Sequence, residues 1–184
     1  EIKIVENDRF VGLKKLSTLF LSFNEIEDIK VNAFITLEEL IEIDLSNNAL
    51  KSIHSQTFSN NPRLKSVSLN GNPLAILPEE SPFLISSSVR SLDLSSCFLT
   101  NVYPETFSKL PNLHTLDLSS NNLQTMSQDT LKGLEHLRNV ELGNNRWSCN
   151  CETQNVMRWA NSLRVNIPAH KPVKCKENGQ YRTL

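Results

Sequence analysis

The apolar positions of this chain recur with a long period. An eleven-residue pattern, apolar at its first, fourth, sixth and eleventh positions with Asn at the ninth, begins at Leu16, Leu40, Leu64, Val89, Leu113 and Leu137. The starts are 24, 24, 25, 24 and 24 residues apart, and all 24 apolar slots of the six copies hold apolar residues. With 39% of residues apolar, independent filling of those slots has odds of about one in 10^10. Inside each copy the apolar residues alternate with period two, which predicts a short strand with those side chains inward and a turn at the Asn. Strands one period apart then lie parallel, about 4.8 Å from their neighbours, and a bulkier back half makes the stack curve.

A second column runs through the back half of each unit, where Phe10, Phe34, Phe58, Phe83 and Phe107 recur and Leu131 takes the last turn. This predicts one buried spine and accounts for most of the Phe residues without a cofactor or base-stacking site. The extra residue of the 25-residue unit falls in the segment Leu77-Pro-Glu-Glu-Ser-Pro-Phe83, whose prolines exclude a central strand and place it on the outer side. The ninth-position column reads Asn24, Asn48, Asn72, Cys97, Asn121 and Asn145. An Asn amide offers donors and an acceptor to backbone groups left open where the strand turns. Cys97 is read as a buried, reduced stand-in within that column.

These residues resemble the leucine-rich repeat family, and the length of the unit with its Phe spine resembles the class found mainly in extracellular proteins. The resemblance implies an α/β fold: a curved leucine-rich repeat solenoid with a parallel β-sheet on its concave face and little regular helix outside a C-terminal cap. Residues 1–15 form a partial repeat, 16–147 six repeats and 148–184 an incomplete cap. Ile2, Val5, Phe10 and Leu13 fall in the slots of Ile26, Ile29, Phe34 and Leu37, so the chain opens in mid-repeat and further repeats are expected before residue 1.

At the other end Trp147 occupies the apolar slot 24 residues after Leu123, followed by Ser-Cys149-Asn-Cys151. Val156, Trp159, Ala160 and Leu163 keep the spacing of an amphipathic helix able to close the core. An irregular stretch around Pro168 and Pro172 leads to Cys175. Three cysteines admit a zinc site as well as a disulfide, although no His stands at ligand spacing. The arrangement resembles the cysteine-flanked cap of Toll-like and Slit-like receptors and of other secreted or cell-surface repeat proteins. That resemblance implies a disulfide between Cys149 and Cys175, a partner for Cys151 beyond Leu184, and an oxidising compartment.

Composition adds to this picture where it is uneven. The excess of 27 Leu and 21 Asn is the two columns. Nineteen Lys and Arg against 20 Asp and Glu give net −1, but residues 1–143 carry 12 basic and 18 acidic groups, net −6, and residues 144–184 carry 7 and 2, net +5. The cap's basic patch, His170, Lys171, Lys174 and Lys176, is either an ordinary solvated surface or a contact for glycosaminoglycan, anionic lipid or acidic protein. No apolar run reaches the ~20 residues that cross a bilayer. A membrane link is therefore expected only through a segment outside this chain. The opening residues show no basic-then-apolar leader, so any secretory signal is expected to have been removed or to lie outside this chain, and none of the Asn residues lies in a glycosylation sequon.

No phosphate loop, metalloprotease or nucleophile-elbow motif occurs, and the four His residues are scattered, so neither catalysis, cofactor nor metal is expected. Binding then falls to the outward strand slots. One row reads Phe20, Asp44, Ser68, Asp93, Asp117 and Glu141; another reads Ser17, Ile41, Lys65, Arg90, His114 and Arg138; Glu42 lies between them. The two charged rows either neutralise one another or dock a partner of mixed charge. Phe20 and Phe23, read in outward strand slots beside Ile41, are either a hot spot or a surface covered by upstream repeats. The expected function is a non-catalytic extracellular module that recognises a protein ligand or co-receptor through its concave face. The settings implied by the family are innate immune recognition and neuronal or developmental adhesion. Polyanion binding along Lys65, Arg90, His114, Arg138 and the cap is the competing class, and the interleaved acids argue against a specific nucleic acid. A homo- or heterodimer through the N-terminal edge or convex side is the remaining structural expectation.

Overall fold

The computed structural model describes residues 1–162, 164–168, 172–177 and 179–183. Six short strands form one parallel sheet: β2 (Thr18–Phe20), β4 (Glu42–Asp44), β5 (Ser66–Ser68), β6 (Ser91–Asp93), β7 (Thr115–Asp117) and β8 (Asn139–Glu141), stacked in chain order. A smaller parallel pair joins β1 (Ile4–Val5) to β3 (Asp28–Ile29) on a separate side of the first turns. The chain is a parallel solenoid of about six turns.

Register follows from the period. Leu19, Ile43, Val67, Leu92, Leu116 and Val140 are the central residues of the six strands and stand opposite one another, pointing inward. Five of these six are buried. Leu45, Leu69, Leu94 and Leu118 continue the ladder with backbone bonds of 2.9 Å to the next repeat. The core therefore runs as one continuous column between the sheet and the outer segments. Phe34, Phe58, Phe83 and Phe107 are buried in it, whereas Phe10 is only half-buried at the first turn. Phe10, Phe34 and Phe58 stack at 5.8 and 5.7 Å between ring centroids.

The Asn column closes each turn by hydrogen bonds. Asn48 donates through Nδ2 to Leu21, Leu45 and Ser46 carbonyls at 2.9–3.1 Å, and its Oδ1 accepts from Ile26 N–H at 3.0 Å. Asn121 and Asn145 repeat the set, so each asparagine links its own turn to the one before. The residue just before the column takes a left-handed backbone in every repeat: Phe23, Asn47, Gly71, Ser96, Ser120 and Asn144 all have positive φ. Here a Cβ on Gly71 would meet Asn47 Oδ1 at 2.5 Å.

Among the described residues there are two helices. One turn, α1 (Asp129–Lys132), lies in the last back half. Helix α2 (Cys151–Ser162) buries Thr153, Val156 and Ala160, with Trp159 half-buried; Leu163 lies outside the described residues. Trp147 is fully buried, its indole N–H donating to Leu142 O at 2.8 Å. After α2, Asn166 extends the large sheet: Val140 N–H donates to Asn166 O at 3.0 Å and Asn166 N–H to Arg138 O at 2.7 Å. The polar edge of β8 is thereby covered. A disulfide joins Cys149 to Cys175. Beyond the stretch around Pro168 and Pro172, Cys175 sits in an antiparallel hairpin that the sequence reading does not predict, β9 (Lys174–Glu177) with β10 (Gln180–Thr183). Its strands alternate Cys175 inward with Lys174 and Lys176 outward, a pattern that hairpin pairing stabilises where an isolated segment would not hold.

Candidate functional site

The outward side of the six-stranded sheet presents three aligned rows. Thr18, Glu42, Ser66, Ser91, Thr115 and Asn139 form the middle one, and Phe20, Asp44, Ser68, Asp93, Asp117 and Glu141 the one toward the turns. The third precedes the strands, where Lys65, Arg90, His114 and Arg138 are tied by backbone bonds, each N–H to the preceding member's carbonyl at 2.7–2.9 Å for the last three. The Lys65 N–H donates to Ile41 O at 2.8 Å and extends the row toward the first turn. The two charged rows stand three residues apart along the strands, about 10 Å. They are therefore two rims with an uncharged strip between them from Ser66 to Asn139, interrupted by Glu42 only on β4.

The acidic rim has a structural task besides its charge. Asp44, Asp93 and Asp117 each accept the N–H two residues on, from Ser46, Ser95 and Ser119, at 2.9, 2.9 and 2.7 Å. This is the turn-forming bond of a short acidic side chain at a strand end. Asp93 also accepts from Asn70 Nδ2 at 2.9 Å, and Asn70 donates to Ser68 Oγ at 3.0 Å. Asp44 is half-buried, and burial alone would raise its pKa; bonds from the Ser46 side chain and backbone and the Ser22 side chain outweigh burial and hold it below the usual carboxylate range. The three carboxylates are thus fixed in position by the turns they hold.

On the basic rim, His114 donates Nδ1–H to Asn112 O at 2.7 Å and stacks on His136 with centroids 5.8 Å apart. Arg138 bends back to the Glu135 and Leu137 carbonyls at 3.4 and 3.1 Å. The His pair, 22 residues apart, falls outside the repeat period, which is why no column announced it. Among the described residues no group of three or more His, Cys, Asp and Glu is placed to hold a metal.

The apolar end of this face differs from the expectation. Phe20 is a strand residue, 65% exposed and opposite Asp44. Phe23 is not in an outward strand slot: it occupies the left-handed turn position at φ 54° and is 80% exposed. The strand has ended, and Phe23 N–H continues the ladder to Ser46 O at 3.1 Å while its backbone reverses. Ile41 lies in the row that precedes the strands and is exposed, three residues along from the Phe20 row. Phe98, 58% exposed, also has a positive φ, next to Cys97, whose thiol burial pushes up to about 12.

In the cap Lys174 and Lys176 are exposed on β9, with Lys176 Nζ 5.9 Å above the Tyr181 ring. His170 and Lys171 lie outside the described residues. Cys151 is exposed and free at the start of α2.

Comparison with known proteins agrees with this geometry. The family model described as leucine rich repeat matches residues 14–74 and 87–146. Among solved structures the chain is similar to the receptor chain of the TLR13–ssRNA13 complex, a Toll-like receptor, at 28% identity and a TM-score of 0.74, over 80% of this chain. It spans 21% of that receptor chain's length. No curated protein matches. With repeat matches over more than half its length on a parallel solenoid, the chain belongs to the leucine-rich repeat family.

Proposed function

We propose that this chain is a non-catalytic recognition module of an extracellular protein, and that it binds a protein ligand through the outward face of its sheet in innate immune recognition. The observation that carries the reading is the arrangement of Lys65, Arg90 and His114 along one side of a strip of small polar residues and of Asp93 and Asp117 along the other, a surface of both signs that complements a protein better than a uniform polymer. The Cys149–Cys175 disulfide supports an oxidising, extracellular or lumenal setting. Likeness to a Toll-like receptor supports the immune setting over adhesion. The test is selection of ligands from displayed extracellular proteins by the wild-type chain, by Arg90→Glu with Asp93→Asn, and by Arg63→Glu away from the sheet. Ligands kept by Arg63→Glu and lost by the paired variant are expected; the opposite pattern overturns the reading.

A second reading, binding of single-stranded RNA or another polyanion, is favoured by the unbroken basic rim and by the RNA in the similar receptor complex. Its mark is a steep fall of affinity with salt. A single-stranded oligonucleotide whose binding drops strongly between low and moderate salt, and is lost in Lys65→Glu with Arg90→Glu, would replace the first reading.

A further inference from the structure

Over β5 to β7 a row of small residues stands between rows carrying longer side chains, which outline a shallow channel. Its floor is Ser66, Ser91 and Thr115, three small hydroxyl residues held in register. One rim is Lys65, Arg90 and His114; the other is Ser68, Asp93 and Asp117. The rims are about 10 Å apart, and each repeats at the strand spacing of about 4.8 Å. Asp93 is held by Ser95 N–H and Asn70 Nδ2, which orients its carboxylate without neutralising it.

An α-helix is about 10 Å across and rises about 1.5 Å per residue. Laid across the strands, its positions i, i+3, i+7 and i+10 fall at about 0, 4.5, 10.5 and 15 Å, against about 0, 4.8, 9.6 and 14.4 Å for successive strands. An extended segment repeats one face every ~6.7 Å and is nearly 4 Å out of step by the third strand. A polyanion would meet Asp93 and Asp117 over two of the channel's three strands.

We infer that this channel takes an α-helix of the partner protein, lying across the strands with basic residues over the Asp93 rim, acidic residues over Lys65 and Arg90, and small residues against the hydroxyl floor. The inference rests on the protein-binding reading above and specifies its ligand. Small floor residues on both sides let the helix backbone approach the sheet, so that both flanks reach their rims together. The opposite signs of the rims fix which way round the helix lies.

The test titrates the 184-residue chain with synthetic peptides of about 18 residues. One is an alanine-based helix with Lys at i, i+3, i+7 and i+10 on one flank and Glu on the other. A second has the same composition scrambled, and a third has a central proline. The striped helix is expected to bind about tenfold more tightly than either control. Lys65→Glu with Arg90→Glu, both exposed positions outside the turn bonds, should remove that advantage. A peptide with its acidic flank changed to Lys should restore it on the same variant. Equal binding of striped and scrambled peptides, or an advantage that survives the variant, overturns the helix. If displayed proteins are still retained through the face in that case, the protein-binding reading stands and only its helical ligand falls.

Discussion

Leu74 turns its amide back to Asn72 O of its own turn, at 2.8 Å, because the residue that faces it in the next repeat is Cys97. Elsewhere the equivalent amide donates to an asparagine Oδ1: Ile26 to Asn48, Leu50 to Asn72, Leu99 to Asn121 and Leu123 to Asn145, at 3.0–3.1 Å. The thiol replaces only the donor half of the amide, reaching Leu69 O at 3.3 Å and Ser95 O at 3.4 Å. Sulfur is weak in both roles, so this turn is the least firmly tied of the stack.

Cys97→Asn should therefore stabilise the chain by about 1 kcal/mol, the net worth of restoring one buried backbone bond and strengthening another. Urea unfolding is the measurement, with a higher midpoint and an unchanged slope expected. A lower midpoint would mean that the turn at Phe98, with φ of 61°, excludes the amide.

The same thiol should be chemically silent. Burial pushes Cys97 up to about 12, and backbone bonds from Asn72 and Gly71 offset this only in part. A thiol-specific reagent should find one fast thiol in the native chain, exposed Cys151, and reach Cys97 only after unfolding. The unfolded thiol ionises near about 8.5 while the native one keeps its proton, so stability should fall as pH rises above that value, by up to about 1.4 kcal/mol per unit. Cys97→Asn should lose that alkaline slope. Two fast native thiols would overturn the burial account.

Phe23 pays no packing role for its awkward backbone, since it is 80% exposed at φ 54°. A bulky residue there costs about 1 kcal/mol relative to the Asn and Gly that fill the same position in neighbouring turns. Phe23→Asn should raise the melting temperature by about 2–4 °C, followed by circular dichroism. A lower melting temperature would show that the ring makes stabilising contacts. If ligand affinity falls while the melting temperature rises, Phe23 is retained for binding.

The period made the inward residues legible, because an apolar side chain every second position and an Asn at each turn can satisfy only one arrangement. It could not distinguish Phe20 from Phe23, since both point outward in a count by slots, while only backbone dihedrals reveal that the strand stops between them. The turn-forming task of Asp44, Asp93 and Asp117 has a local signature, an Asp two residues before a Ser N–H at each strand end, whereas their alignment as a charge row is equally consistent with solvated side chains. The hairpin of the cap had its own signal in the dipeptide Asn178-Gly179, which the nearby prolines and cysteines obscured.

Asp44 separates structure from recognition on the candidate face. Its pKa is lowered in the fold, so between the native and unfolded values the unfolded chain binds more protons. The resulting stability is present above the ordinary carboxylate range, near about 3.9, and is lost as pH falls through the native value. Because Asp44 is half exposed, the contribution should be no more than about 0.5 kcal/mol. Asp44→Asn keeps an acceptor for Ser46 N–H but cannot ionise, so it should flatten the acid limb of stability and leave neutral-pH stability nearly unchanged. Asp44→Ala removes the acceptor as well and should cost about 1 kcal/mol at neutral pH. Urea midpoints between pH 3 and 7 would decide between these, and an acid limb unchanged in Asp44→Asn would show that another group sets it. Applied to a ligand, the same pair discriminates: affinity lost in both variants means the partner reads the carboxylate charge, and affinity lost only in Asp44→Ala means it reads the turn that the carboxylate holds.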